Sequence, residues 1–145
     1  MIEVQLEYDM DEKAEIDTDW LKTICKNIFH EKDHNQGNIT VILTDDEQLL
    51  KLKKEYFQQD VLTDVITFNL EEDGDPVEGE IYISLERVKE NTRKFKQNVG
   101  IELMRVIIHG CLHIMGYDDQ TPEGKKEMTQ LEDHYLNQSV LPGQT

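Results

Sequence analysis

The feature that most constrains the fold is an apolar helical segment at residues 101–115. Its sequence is IELMRVIIHGCLHIM, in which apolar side chains project on nearly every side of a helix. Such a helix has almost no face that it can leave in water, so the rest of the chain has to surround it. His109 and His113 lie within this segment. The sequence therefore predicts a central helix that bears both histidines.

The remaining hydrophobic patterns predict four strands and four further helices. Alternating or β-branched residues predict strands at 2–6, 38–44, 64–70 and 80–84. One helix is predicted at 18–30, and a second follows a T-D-D-E capping box that opens at Thr44. A third is predicted from the N-cap Ser84 to about residue 97, and a fourth from Thr121-Pro122 onward. The order β-α-β-α-β-β-α-α-α indicates one α+β domain over residues 1–145, with a small mixed sheet of about four strands packed against helices.

The charge distribution excludes several classes of partner. The chain has 15 Lys and Arg against 31 Asp and Glu, which gives a net charge of −16. This balance argues against a DNA-binding surface or an anionic membrane surface, because both partners require clustered positive charge. Residues 1–20 and 71–80 together contribute −13 of the −16. We expect both segments to be loops or edges away from the helix that bears His109.

Hydropathy and cysteine content constrain the location in the cell. No apolar run approaches the roughly 20 residues that span a bilayer, and the acidic first residues are unlike a signal peptide. Cys25 and Cys111 lie in apolar contexts, which is typical of reduced thiols. We therefore expect a cytoplasmic protein without a membrane partner.

Two pairs of histidines are spaced four residues apart, and the first pair matches a metal-binding motif only in its letters. His30 and His34 spell H-E-K-D-H, which matches the zinc-protease motif in letters. That motif requires a rigid helix inside the domain. The charged residues within the pair and the Asn-Gln-Gly that follows it are typical of a solvated helix end. We therefore predict no site at this pair.

The second pair, His109 and His113, has the spacing of a metal site. Four residues along a helix place two imidazoles on one face, about 6 Å apart in rise. Gly110 leaves that face open to an approaching strand, and Gly116 suits a left-handed turn that brings Asp118 and Asp119 back toward the helix. Two helix ligands and one ligand from a returning loop are typical of an open catalytic metal site. The alternative is a hydrogen-bonded pair of core histidines followed by an ordinary C-cap.

The segment H-G-C-L-H-I-M-G-Y-D-D resembles the H-G-x-L-H-x-x-G-Y-D-H signature of the YbeY family of metal-dependent endoribonucleases. Upstream, L-T-D-V-I-T-F and G-E-I-Y-I-S resemble two further family blocks, P-T-D-V-L-S-F and G-D-I-x-I-S. The region around Glu132 also fits, so the resemblance covers roughly residues 40–135. It implies an endoribonuclease that acts on single-stranded ribosomal RNA precursors, at the 3′ end of the small-subunit RNA, and in ribosome quality control.

The resemblance implies that His109 and His113 bind one divalent ion per chain, with zinc expected. The third family ligand is a histidine, whose position is taken here by Asp119, and Asp118 is the alternative. A carboxylate oxygen ligates zinc at a similar distance but makes the site harder and more negative. A family arginine that is implicated in RNA handling is replaced by Phe57, which we expect to be a core residue.

Further residues are candidates for supporting roles in metal-assisted phosphodiester hydrolysis. Gly110 stands where a zinc protease has its glutamate base, so Asp64 or Glu80 is a candidate to assist the metal-bound hydroxide. The alternative is that both are strand-end residues that make backbone hydrogen bonds. The stretch from Arg87 to Arg105 is the only cationic one. Its candidate RNA contacts are Arg87, Lys89, Arg93, Lys94, Lys96 and Arg105, the alternative being a solvated helix face.

Three functions are consistent with these patterns. The first is the single-strand-selective endoribonuclease, with the ribosome, ribosomal proteins and a GTPase as partners implied by the resemblance. The second is a ribosome-assembly module in which the metal is structural and catalysis is weak. The third is a metal-dependent hydrolase of another substrate. The Asp119 and Phe57 substitutions keep the second hypothesis open.

Overall fold

A computed structural model describes residues 1–14, 16–96 and 98–138. The strands are β1 Ile2–Tyr8, β2 Gly37–Thr44, β3 Val65–Asn69 and β4 Val77–Ser84. The helices are α1 Thr18–Glu31, α2 Asp46–Phe57, α3 Leu85–Phe95, α4 Val99–Ile114 and α5 Pro122–Gln138. The predicted element order and the α+β class are confirmed. The predicted extent of the domain to residue 145 stays a prediction, because its last residues lie outside the described ones.

The four strands form one mixed sheet in the order β1-β2-β4-β3. β1 pairs with β2 and β2 with β4 in parallel, whereas β3 pairs with β4 in antiparallel orientation. The register places Val41 beside Ile81 and Ile66 beside Tyr82. β3 is thus an edge strand next to the central β4.

The two faces of the sheet carry separate apolar clusters. Ile81 belongs to the main core with α1 and α4, whereas Ile66 packs with Leu49 and Leu52 of α2. Because side chains alternate along a strand, Tyr82 and Phe68 lie on the α2 face. The position of a residue along β3 or β4 therefore decides whether its side chain lies on the α4 side or on the α2 side of the sheet.

α4 lies at the centre of the main core, as its apolar sequence predicts. It packs against α1, α3, α5, β3 and β4. Gly110 lies directly on β4: a Cβ built at this position would be 2.7 Å from Ile81 Cγ2. On the α1 side, the buried free thiols of Cys111 and Cys25 are 3.7 Å apart. The glycine lets the histidine-bearing helix approach the sheet closely.

Several helix ends differ from their predicted positions, and others are confirmed. Thr44 is the last residue of β2, where it is buried and bonded to Asp9, so Asp45 takes the N-cap position and accepts a hydrogen bond from the Gln48 amide. Ser84 caps α3 as predicted. The predicted cap at Thr121 is also present, since its Oγ1 accepts from the Gly124 amide.

Phe57 is not a core residue, contrary to the expectation. Its side chain is 41% exposed at the last residue of α2, where it stacks on Phe68 with ring centroids 5.9 Å apart. The ring contacts Phe68 and the Lys53 ammonium group at the surface and is not enclosed by the core. Within the described residues, no helix combines the length and hydropathy needed to cross a bilayer.

Candidate metal centre

α4 and the turn after it bring three potential ligands together. The Nε2 atoms of His109 and His113 are 2.9 Å apart. Gly116 has the left-handed φ of 99° that the turn requires, and the chain then returns Asp119 to the histidines. The Asp119 oxygens lie 3.4 Å from His109 Nε2 and 3.7 Å from His113 Nε2. The three residues form a group that could bind a metal ion.

The spacing of these atoms fits a small divalent ion. In a tetrahedral site with bonds of about 2.0–2.1 Å, ligand atoms are about 3.3 Å apart. The observed distances of 2.9, 3.4 and 3.7 Å bracket that value. In addition, two nitrogen lone pairs at 2.9 Å repel each other unless a proton or a cation lies between them.

The group is accessible from solvent. The side chains of His109, His113 and Asp119 are 22%, 27% and 35% exposed. Three protein ligands with an open side leave a coordination position for water or substrate, as in catalytic rather than structural metal sites.

The two imidazoles have different partners on their far sides. His109 Nδ1 lies 2.7 Å from Glu132 Oε2, on α5. The backbone of Tyr117, in the turn itself, is close enough to the His113 imidazole to favour its protonated form and so oppose the lowering of the His113 pKa. Both contacts leave the Nε2 atoms directed toward Asp119, and outer contacts of this type fix the orientation of metal-binding histidines.

These surroundings shift the pKa values of the two imidazoles in opposite directions. Burial opposes protonation of His109, but the hydrogen bond and charge of Glu132 outweigh it and raise the His109 pKa. Burial and the neighbouring His109 lower the pKa of His113. The two imidazoles therefore differ: positive charge is favoured at His109 and disfavoured at His113.

Further carboxylates surround His109. Burial raises the pKa of Asp64, and the charge of His109 opposes this rise, so the two groups interact electrostatically. Burial also raises the pKa of Glu102, which is close enough to Asp64 and Glu132 to feel their charges. This concentration of acidic groups favours a cation at the histidines.

Two of the acidic residues named from sequence are not brought to the histidines. Asp118 accepts a hydrogen bond from the Gln120 amide in its own turn, and Asp119 is the carboxylate that reaches the group. Glu80 neighbours Ile81, so it lies on the opposite face of the sheet from α4, where it accepts a hydrogen bond from the Tyr82 hydroxyl. The structure thus favours Asp119 and Asp64 over Asp118 and Glu80.

The first histidine pair lies at a helix end, as predicted. α1 ends at Glu31, and Asp33 adopts a left-handed φ of 66° between the two histidines. Both His30 and His34 are exposed, and neither belongs to the metal-ligand group.

Most of the cationic stretch is ion-paired. Arg87 pairs with Asp46, Lys89 with Glu12, Arg93 with Glu90, and Arg105 with both Glu132 and Asp133. Lys94 and Lys96 are exposed at the end of α3. The contact between Lys89 and Glu12 also shows that the acidic N-terminal segment reaches α3.

Glu132 is a site residue whose role the sequence patterns do not predict, although the family resemblance includes the region around it. It is 7% exposed, on a helix whose other buried residues are the apolar Met128 and Tyr135. Its position, four residues after Met128 and three before Tyr135, is an inward one by helical spacing. A carboxylate at an inward position requires a buried partner. The helical spacing of Glu132 could therefore have indicated a contact inside the protein.

Comparison with known proteins agrees with the site. A family model described as endoribonuclease YbeY matches residues 5–140. The endoribonuclease YbeY of Flavobacterium psychrophilum is 38% identical over 133 residues, which cover 92% of this chain and 94% of the relative. That of Amoebophilus asiaticus is 40% identical over 119 residues, covering 82% and 78%.

A solved structure shares the fold. The solution structure of TM1509 from Thermotoga maritima superposes with a TM-score of 0.61 at 29% identity, covering 97% of this chain and 89% of that protein. The family model spans nearly the whole chain, and its relatives match over most of their own length. This chain therefore belongs to the YbeY family of endoribonucleases.

Proposed function

We propose that this chain is a metal-dependent endoribonuclease that cleaves single-stranded segments of ribosomal RNA precursors. The observation that carries the proposal is the convergence of His109, His113 and Asp119 on one half-exposed point. Membership of the family supports hydrolysis of RNA phosphodiester bonds. The missing protease glutamate at Gly110 argues against peptide hydrolysis.

The three ligands would hold one divalent ion, with zinc as the expected one. When bound, such an ion lowers the pKa of a water molecule and offsets negative charge on the phosphate in the transition state. Asp119 brings a negative oxygen donor to the ligand set, which widens the choice toward harder ions than three histidines would. We propose Asp64, whose carboxyl group interacts electrostatically with His109, as the residue that accepts or holds a proton near the scissile phosphate.

The exposed end of α3 is the place where we expect the RNA backbone to bind. Lys89, Thr92, Arg93, Lys96 and Val99 line a groove of about 370 Å³. Ion pairs with neighbouring carboxylates reduce the charge that Arg87, Lys89, Arg93 and Arg105 offer to phosphate. Weak RNA binding follows from so few available cations on a chain of net charge −16.

The biological setting is proposed from the family resemblance. It is maturation of the 3′ end of small-subunit ribosomal RNA and ribosome quality control in the cytoplasm. Because we expect the chain itself to bind RNA weakly, we propose that the ribosome, ribosomal proteins and a GTPase recruit it to its RNA substrate.

Removal and return of the metal tests this function. We expect chelation to abolish cleavage of a single-stranded ribosomal RNA fragment, zinc to restore it, and a duplex of the same sequence to be cut at least about tenfold more slowly. Full cleavage after verified metal removal would contradict the mechanism. A zinc-loaded protein that cleaves no RNA would instead support the assembly module.

A further inference from the structure

We propose that Glu132 and Arg105 are positioning residues for His109, and that they determine how tightly this site binds a divalent cation. The inference rests on the proposed metal site and concerns residues of α5 and α4 that lie outside the ligand set. It assigns to Arg105 a role in metal binding in place of the RNA contact expected from its charge.

Both oxygens of Glu132 are used. Oε2 lies 2.7 Å from His109 Nδ1, and Oε1 accepts a hydrogen bond from Arg105 Nη1 at 3.1 Å. The Glu132 side chain is only 10% exposed. A carboxylate so far removed from water is costly unless it is paired, and here each of its oxygens meets a cationic or N–H group.

The contact determines which nitrogen of His109 faces the cation. An ionised carboxylate only accepts hydrogen bonds, so His109 has to donate from Nδ1. Nε2 then carries the lone pair, and it is the atom that lies beside His113 Nε2 and Asp119. Glu132 thereby orients the ring and makes its nitrogen a better donor to a metal.

Arg105 supports this arrangement from the other side of the carboxylate. Its guanidinium bonds Glu132 through Nη1 and Asp133 through Nη2, at 3.1 and 2.7 Å. These two contacts hold the guanidinium between neighbouring α5 carboxylates, with its side chain 31% exposed. The chain Arg105–Glu132–His109 therefore ties α4 to α5 at the ligand itself.

The test compares Glu132→Gln with Glu127→Gln, which removes the same charge from an exposed position of α5 and leaves the contacts of His109 and Arg105 intact. The probe is Zn²⁺ in competition with a chromogenic chelator. We expect Glu132→Gln to weaken zinc binding by about 10- to 100-fold, the range for loss of such an outer contact, and Glu127→Gln to stay within about threefold of the wild type. Wild-type zinc affinity in Glu132→Gln would overturn the proposal.

Arg105→Gln separates metal positioning from RNA contact. A positioning role predicts weaker zinc binding, restored toward the wild type in Arg105→Lys, with the KM for RNA unchanged once zinc saturates the protein. A raised KM with wild-type zinc affinity would overturn this part of the proposal and return Arg105 to the RNA surface.

A measurement on the wild-type chain removes any dependence on the folding of the variants. Nitrogen-15 NMR of the zinc-loaded protein should show His109 protonated at Nδ1 and coordinated through Nε2. Coordination through Nδ1 would contradict the proposal. Failure of zinc to bind the wild type would refute the proposed metal site itself, which is a different outcome from normal binding by Glu132→Gln.

Discussion

Each of the three ligand side chains is held by a different part of the chain. His109 is oriented by a carboxylate from α5, His113 by the backbone of the following turn, and Asp119 by the return of the chain after Gly116. Ligands that are fixed by separate elements converge only in the folded protein. We therefore expect metal binding and folding to stabilise each other.

At the level of single residues, Asp119 and Asp118 make a sharp comparison. Asp119→Ala removes a ligand, so we expect zinc affinity to fall by more than about 100-fold, since loss of an outer contact alone costs 10- to 100-fold. Asp118→Ala removes only a turn contact with Gln120 and should bind zinc within about threefold of the wild type. Chelator competition measures both, and the reverse order would make Asp118 the ligand.

Individual side chains were predictable from sequence where local geometry fixes them. Helical spacing places His109 beside His113, and the turn at Gly116 follows from the need for a left-handed residue. Glu132 is brought to His109 by the packing of two helices, which no local pattern encodes. The position of Glu80 relative to the histidines depends on which face of β4 it occupies. The exposure of Phe57 depends on where α2 ends relative to the sheet.

Among the elements, the close approach of α4 to β4 depends on one position. The missing side chain of Gly110 makes room for Ile81. The same glycine lies between the two histidines in sequence, so its packing fixes the distance of the metal group from the sheet. The order of elements could be read from hydrophobic periodicity, whereas the strand order β1-β2-β4-β3 depends on pairings between distant segments.

A larger side chain at Gly110 tests this packing. We expect Gly110→Val to lower the free energy of unfolding of the metal-free protein by about 1–3 kcal/mol, because overpacking forces α4 and β4 apart. Adding Ile81→Ala to this variant should recover part of the loss by making room. Urea unfolding measures both, and an unchanged free energy in Gly110→Val would show that the contact has no energetic consequence.

For the molecule as a whole, charge is the property that governs access to RNA. Residues 1–20 include the edge strand β1, as expected, whereas residues 71–80 run into the interior strand β4, contrary to the expectation. Glu12 also pairs with Lys89 on α3. The net charge was available from composition, whereas these ion pairs required the folded arrangement. We therefore expect electrostatic attraction to RNA at the exposed end of α3.

Charge reversal at the end of α3 tests this location. We expect Arg93→Glu with Lys94→Glu to raise the KM for single-stranded RNA about threefold to tenfold at low salt, and to flatten its salt dependence, because fewer counterions are released. Lys125→Glu with Lys126→Glu on exposed positions of α5 is the matched control. Equal effects of the two pairs would indicate a general charge effect without a defined RNA surface.

The metal-dependent nuclease mechanism is tested most directly by a paired measurement of bound zinc and single-stranded RNA cleavage in His109→Ala and His34→Ala. Both variants lose one histidine of an H-x-x-x-H pair, but only His109 belongs to the ligand group. We predict that His109→Ala loses stoichiometric zinc and at least about 100-fold in cleavage rate, while His34→Ala keeps both. Cleavage at the wild-type rate by zinc-free His109→Ala would contradict the mechanism.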